Sequence, residues 1–439
     1  MKKLKFLFFP TILVLAFGLM LSCSKSSSDN SSSSDNSSDG GDSSGSGGGS
    51  SYSCSFKNTK AFIVGNAVTE KCIFYDCPKS KIVIWDLNGC MKVVGESVLG
   101  IVDAASYNNS IYIADDAGFY WIVGAGNKIE KKQINYTSGF KPSEITGISV
   151  NSVGDVYVAG NVVKNKKNYG AYWKNGELVK TFSENADWYS EKHVAADSNG
   201  NVYIPGWRMK SHSVTYASYW KNGRRMDLTS TYDGEATDVA VSGSKVYFSG
   251  AHGPICDLPC PVKSGTLAAY WQVGKGMTKV TKVKTAHIPR KWIMRSRASS
   301  IHVEGSTVYM AGEVDGYVPV YWKNKIQHEL PVEFDLDTCD YCKAVPKDIS
   351  LVNGDVIVVG DYYNEKDFVD ENRTNGENKA VYWMNNKLHK LCECCGSSTA
   401  VAVVVKECVD TSCEQAEWKD QTCSTSSETK DDKAFTKQL

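Results

Sequence analysis

The sequence predicts an all-β fold, a seven-bladed β-propeller of four-stranded antiparallel blades whose ring closes by pairing N- and C-terminal segments. Three observations carry that expectation. Tryptophan closes an apolar strand seven times, at Trp85, Trp121, Trp173, Trp220, Trp271, Trp322 and Trp383. The successive spacings of 36, 52, 47, 51, 51 and 61 residues have the period of stacked four-stranded units. Six of the seven follow a tyrosine directly, and Ile84-Trp85 is the divergent doublet. The termini complete the pattern: the first unit lacks a first strand, and the last recognisable strand has no successors.

The clearest unit begins near Ala236. Thr237 to Val241 alternates polar and apolar residues, Ser242-Gly243-Ser244 turns, and Lys245 to Gly250 is a second strand. After a variable insertion come Leu267 to Trp271 as third strand and Met277 to Val280 as fourth, a twisted antiparallel meander. Second strands recur as Val156-Tyr157-Val158-Ala159-Gly160, Val202 to Gly206, Val308 to Gly312 and Val356 to Gly360. Lys174-Asn175-Gly176 and Lys221-Asn222-Gly223 supply tight turns between third and fourth strands. Blades are expected near 101–134, 144–182, 192–229, 236–282, 298–332 and 346–391. Ala61 to Val94 and Thr399 to Val405 together form the seventh. Each Tyr-Trp pair reads as packing between blades, where bulky flat side chains bury large area.

Several second strands resemble the bacterial propeller repeats of pattern Asp-x-x-Gly-Asn-Val-Tyr-Val-x-Gly, best at Asp197 to Gly206. The Tyr-Trp-Lys-Asn-Gly element is similar to that of propeller lipoproteins of anaerobic and spirochaete-type bacteria. The resemblance spans roughly residues 60–405. It implies the fold, and no activity, since propellers carry many.

Residues 1–22 read as an export signal. Lys2, Lys3 and Lys5 precede an apolar run from Phe6 to Leu21. Met20-Leu21-Ser22-Cys23 resembles a bacterial lipoprotein lipobox, which implies diacylation of Cys23, with palmitate as an acyl group, and cleavage before it. Met20 and Leu21 depart from the commonest form of that box. Residues 23–51 form a tether of Ser, Gly, Asp and Asn with almost nothing to bury. A coil of that length holds a domain roughly 30 Å from a lipid surface. The propeller is expected over 52–418 and a polar tail over 419–439. Lys and Arg total 49, as do Asp and Glu, so no charge excess points to nucleic acid. The expected place is the bacterial envelope, lipid-anchored at the outer membrane or cell surface, with the periplasmic side as the alternative, and the expected state is a monomer.

Aligning the first strands at the residue before the apolar alternation gives Asp103, Gly147, His193, Asp238, Ser300, Asp348 and Ala400. This register sets Asp103, His193, Asp238 and Asp348 around the channel mouth as candidate ligand-binding residues. Strand-start capping of a preceding loop is the plainer role for the same residue types. The loops Asn66–Ser80, Asn161–Tyr169, Trp207–Thr215, Ala251–Thr266 and Asp361–Lys379 vary most. They display Trp207, Arg208, His212, His252, Tyr362, Tyr363 and Phe368 on the same side.

Fifteen cysteines less Cys23 leave fourteen, an even number suited to disulfides in an exported chain. Cys72 with Cys77, Cys256 with Cys260, Cys339 with Cys342, and Cys408 with Cys413 are spaced to staple single loops. Cys54, Cys90, Cys392, Cys394, Cys395 and Cys423 are left without assigned partners. A four-thiolate zinc site using Cys339, Cys342 and two cysteines of 392–395 is the sharper alternative. No nucleophile elbow outside the Ser/Gly/Asp-rich tether, no sialidase-type Asp box and no His-Glu-x-x-His occurs, so no residue is assigned as catalytic and no cofactor is expected.

These features favour a non-enzymatic binding or scaffold module whose partner is an envelope glycan, peptide or protein. A polysaccharide hydrolase or lyase with a polar site at the channel mouth is the alternative. Replacing Cys23 with Ala is expected to release the protein from membranes, read by membrane flotation.

Overall fold

Second and third strands of the repeats carry largely apolar runs, so both faces of each sheet must be covered. Ala61–Ala67, for example, is buried at every residue. Stacking sheets face to face around a ring meets that demand. A computed structural model shows this arrangement. It describes residues 61–68, 80–97, 99–124, 128–136, 139–182, 193–211, 214–230, 232–254, 266–279, 295–315, 318–334, 342–363, 378–391 and 397–405.

The strands run in chain order. The opening segment holds β1 (Ala61–Ala67), β2 (Ser80–Asp86) and β3 (Met91–Ser97). Blade two is β4 (Ile101–Tyr107), β5 (Ser110–Asp115), β6 (Phe119–Val123) and β7 (Ile129–Gln133). Blade three is β8 (Lys141–Val150), β9 (Val156–Lys164), β10 (Lys167–Lys174) and β11 (Glu177–Phe182). Blade four is β12 (Ala195–Ala196), β13 (Val202–Ser211), β14 (Val214–Lys221) and β15 (Arg224–Asp227). Blade five is β16 (Tyr232–Ser242), β17 (Lys245–Pro254), β18 (Leu267–Gln272) and β19 (Gly276–Lys279). Blade six is β20 (Ser296–Glu304), β21 (Thr307–Val314), β22 (Val318–Lys323) and β23 (Ile326–Glu329). Blade seven is β24 (Lys343–Val352), β25 (Asp355–Tyr363), β26 (Lys379–Met384) and β27 (Lys387–Lys390).

Last comes β28 (Ser398–Val405), which pairs antiparallel with β1 and completes the order β28-β1-β2-β3. The composite blade expected from the two termini is therefore present. Each first strand touches the next around the ring, β28 to β4 included. Ser106 adds a 2.7 Å hydrogen bond from its Oγ to the carbonyl of Val405 across that seam.

The doublets form the core between blades. Seven apolar clusters fill the seven interfaces, each holding the tryptophan of one blade and the doublet partner of the blade before it. Tyr382 meets Trp85, Tyr120 meets Trp173, Tyr172 meets Trp220, and Tyr219 meets Trp271. Adjacent strand residues point to opposite faces, so one dipeptide serves two interfaces. The divergent Ile84 stands in the tyrosine position opposite Trp121. Trp173 donates its indole hydrogen to the Asn135 carbonyl at 2.9 Å, and Trp383 to that of Pro331 at 2.8 Å.

The residues after the doublet have their own uses. Asn175, Asn222 and Asn324 take positive φ of 53°, 52° and 55°, and each side-chain oxygen accepts an N–H at the start of its second strand, at Val156, Val202 and Val308. Lys174, Lys221 and Lys323 lie over Tyr157, Tyr203 and Tyr309 at 5.8, 5.4 and 5.5 Å from the ring centres.

Two expectations are corrected. The stretch Asn161–Tyr169 is mostly strand, not loop: β9 and β10 continue their ladder to a turn at Asn165-Lys166, both at positive φ. Residues 207–211 and 251–254 likewise prolong β13 and β17. The second correction concerns the inner strands, which carry a β-bulge. Pairing slips by one between Ile101 and Asp103, Ile145 and Gly147, Ala236 and Asp238, Ala298 and Ser300, and Pro346 and Asp348. In β28 the extra residue is Val401, because Gly65 pairs Ala400 while Val64 pairs Ala402. The position equivalent to Asp348 is thus Ala402, not Ala400.

The bulge explains the glycine that ends the second-strand motif. Two inner residues oppose one partner, which throws a carbonyl against the facing backbone. A Cβ at Gly65, Gly160, Gly250, Gly312 or Gly360 would run into the carbonyl oxygen of Thr399, Glu144, Glu235, Arg297 or Val345. Gly312→Ala is expected to cost about 1–3 kcal/mol, seen as a lower urea midpoint. Gly124→Ala, where a Cβ meets only ordinary contacts, should stay within about 0.5 kcal/mol of the parent.

Candidate functional site at the channel mouth

Six residues directly after the bulges, with His193 before β12, make the ring of inward positions. Asp103, Asp238 and Asp348 occupy three of them, and each spans two blades. Asp103 accepts from the N–H of Ala104 on its own strand at 2.8 Å and from Ile148 of the next blade at 2.9 Å. Asp238 does the same with Val239 and Ile301, at 2.6 and 2.8 Å. Asp348 accepts from Ile349 and Val403, both at 2.8 Å, and from Ser300 Oγ at 2.7 Å. Each bulge leaves a backbone N–H unpaired, and a short carboxylate is the side chain that reaches it.

His193 joins two of these staples. Its Nδ1 lies 3.4 Å from Asp103 and 3.6 Å from Asp238. It holds a φ of 76°, rare for a residue with a Cβ, while its own N–H bonds Thr146 O at 3.1 Å. Gly147 makes this possible: a Cβ there would meet the His193 backbone at 2.6 Å. Its Nε2 is buried without a hydrogen-bond partner among the described residues.

Burial alone would lower the imidazole, but Asp238, Asp103 and Asp348 together raise it to about 9. Burial lifts Asp238 to about 6 against the pull of His193, with Asp348 adding to the rise. Asp348 is also raised by burial, opposed by His193 and by its hydrogen bonds from Val403 and Ser300. On the neighbouring strand, burial lowers His302.

The four residues singled out by alignment are therefore gathered at one place, with Asp103 and Asp238 each 4 % exposed. Sequence reasoning missed their stapling of blade to blade and the role of Gly147. The bulged strand itself carries no composition signal, and the glycine that ends the facing second strand is the mark that could have found it. Among the described residues no group of His, Cys, Asp and Glu is arranged to hold a metal.

The rim residues divide. Tyr362 is fully buried against Phe334, not displayed, and its hydroxyl accepts from the N–H of Glu333. His252 is 3 % exposed and also belongs to the interior. Arg208 lies over Tyr216 and pairs with Asp227 at 3.0 Å. Trp207 and Tyr363 are half-buried. His212 and Phe368 lie outside the described residues.

The cysteines divide as well. Cys90 and Cys342 belong to the described residues, and both are disulfide-bonded. Cys90, which had no assigned partner in the sequence, is thus a bridging residue. The expected loop staples of Cys72 with Cys77, of Cys256 with Cys260, and of Cys408 with Cys413 fall outside the described residues at both ends. Cys339, the expected partner of Cys342, lies outside them too, as does the lipidation candidate Cys23.

On the same side a groove of about 410 Å³ is lined by Lys343, Val345, Asp361, Tyr363 and Asn378. Asp361 accepts from Thr399 Oγ1 at 2.5 Å and pairs with Lys347 at 2.6 Å, which ties the groove to β28.

No protein-family model matches the chain, and no curated protein does. Among solved structures it is similar to the tricorn protease, at 9% identity and TM-score 0.38 over 71% of this chain and 33% of that one. The chain thus spans about a third of that protease. It is also similar to the WD40 propeller domain of Doa1, at 12% identity and TM-score 0.37, with 67% and 94% covered. The polysaccharide lyase Uly1 matches at 12% identity and TM-score 0.38, with 72% and 86% covered. At such values the likeness carries nothing on activity.

His193 binds its proton more tightly folded than unfolded, about 9 against an ordinary 6.5. Its contribution is whole below pH 6.5 and is lost as pH rises through 9. Asp238, raised from 3.8 to about 6, acts in the same sense at lower pH. Urea unfolding of the parent should weaken by up to about 3 kcal/mol between pH 6.5 and 9. His193→Asn, which tolerates positive φ, should be less stable at pH 6.5 and nearly flat across that window.

Proposed function

We propose that the chain is a non-enzymatic binding or scaffold module, held by an N-terminal lipid in the bacterial envelope and presenting one face of its propeller. The carrying observation is the use made of the channel carboxylates. A general acid or nucleophile must reach its substrate, yet in Asp103, Asp238 and Asp348 one oxygen accepts a backbone N–H of its own strand and the other a backbone N–H of the next blade. The imidazole beside them is held by the same acids. What stays accessible is the rim, where side chains differ from blade to blade over a frame that does not.

The hydrolase or lyase reading has one observation in its favour, the raised Asp238 beside His193. Asp238 is buried and His193 largely so, which suits a structural ion cluster better than a reacting one. The Ser/Gly/Asp-rich stretch after Cys23 supports the anchor, since a solvated spacer lets the face stand clear of lipid. Full-length protein incubated with envelope polysaccharide and envelope proteins should retain a ligand and release no new reducing ends or unsaturated sugars. Steady product formation that disappears in Asp238→Asn would overturn the binding reading.

A further inference from the structure

The groove on blade seven is built from paired strands. Lys343 stands opposite Tyr363 and Val345 opposite Asp361, so all four side chains share one face. Asn378 closes the side just before β26, its carbonyl accepting the N–H of Ser398 at 2.8 Å. Resting on the binding-module reading and naming its ligand, we propose that this groove binds an acidic oligosaccharide, a glycan bearing uronate groups.

Four features of the lining select that class. Among the described residues of the lining only Val345 is aliphatic, too little for a lipid chain or an apolar peptide anchor, which need a largely hydrophobic pocket. Tyr363 supplies an aromatic surface of the kind that takes the C–H face of a sugar ring while leaving a hydroxyl at the edge. Asp361 and Asn378 offer acceptors and donors to neighbouring sugar hydroxyls. Asp361 is fixed in place by Thr399 and by Lys347, and a carboxylate retains acceptor capacity beyond those two bonds.

Charge decides between a neutral and an acidic sugar. Lys347 compensates Asp361, so among the described residues Lys343 leaves the lining with an excess positive charge. An ammonium on a flexible stem suits a single carboxylate. The volume lies within the roughly 300–1,000 Å³ of small-ligand clefts. Strand-borne side chains also hold their positions better than loop-borne ones.

The test is calorimetric titration of the full-length protein with short oligomers of galacturonate, mannuronate and a glucuronate-containing glycan, each beside its neutral counterpart. At least one uronate oligomer should bind more tightly than its neutral form, and less tightly as salt is raised. Tyr363→Ala should weaken binding by about tenfold, while Tyr363→Phe, which keeps the ring, should bind like the parent. Lys343→Ala should erase the preference for the acidic form. Near-ultraviolet dichroism confirms that each variant is folded. No binding by any uronate oligomer overturns the assignment, as does binding indifferent to both Tyr363→Ala and Lys343→Ala. Binding of that indifferent kind leaves the module reading standing, whereas shortening of the oligomers removes the module reading and leaves the groove to be judged by the same variants.

Discussion

Each blade is a sheet buried on both faces, and no blade can cover itself. Everything else in the molecule follows from that constraint. The Tyr-Trp dipeptide meets it economically, since alternation along a strand aims the two rings at opposite neighbours. Trp173, for instance, fills the interface with blade two while Tyr172 fills that with blade four. Such a chain of contacts has no natural end, so an open array would leave two apolar faces and unpaired strand edges in water. Sharing one sheet between β1 and β28 removes both, and the ring becomes a single cooperative object.

At the axis the demands are polar. Seven inner strands converge, and the bulges that let them turn inward leave N–H groups needing partners. Asp103, Asp238 and Asp348 meet that need, each bridging its own strand and the next. Burying three carboxylates together is costly, and the cost appears in the upward shifts of Asp238 and Asp348. His193 offsets part of it as a cation set among them, admitted by the missing side chain of Gly147. Acidic residues in a channel invite a catalytic reading, and here their hydrogen bonds point to cohesion. The rim stands apart from that bonding: the groove lined by Lys343 and Tyr363 lies on blade seven, where its side chains can vary without disturbing the axis.

The sequence by itself determined the blade count, the strand grammar, the closing blade and the gathering of Asp103, His193, Asp238 and Asp348, because side-chain periodicity and repeat spacing are local properties that survive in one dimension. Tertiary structure alone decided that Ala402 is the counterpart of Asp348, that Tyr362 is core while Tyr363 lines a groove, and that the channel acids are staples. A bulge adds one residue and reverses the facing of all that follow it, and its mark in the sequence is not on the bulged strand but is the glycine of the strand that faces it. Whether a polar group is bonded or available depends on backbone brought to it from another blade, as Val403 is brought to Asp348 across 55 residues of chain. Such contacts exist only once the ring is closed.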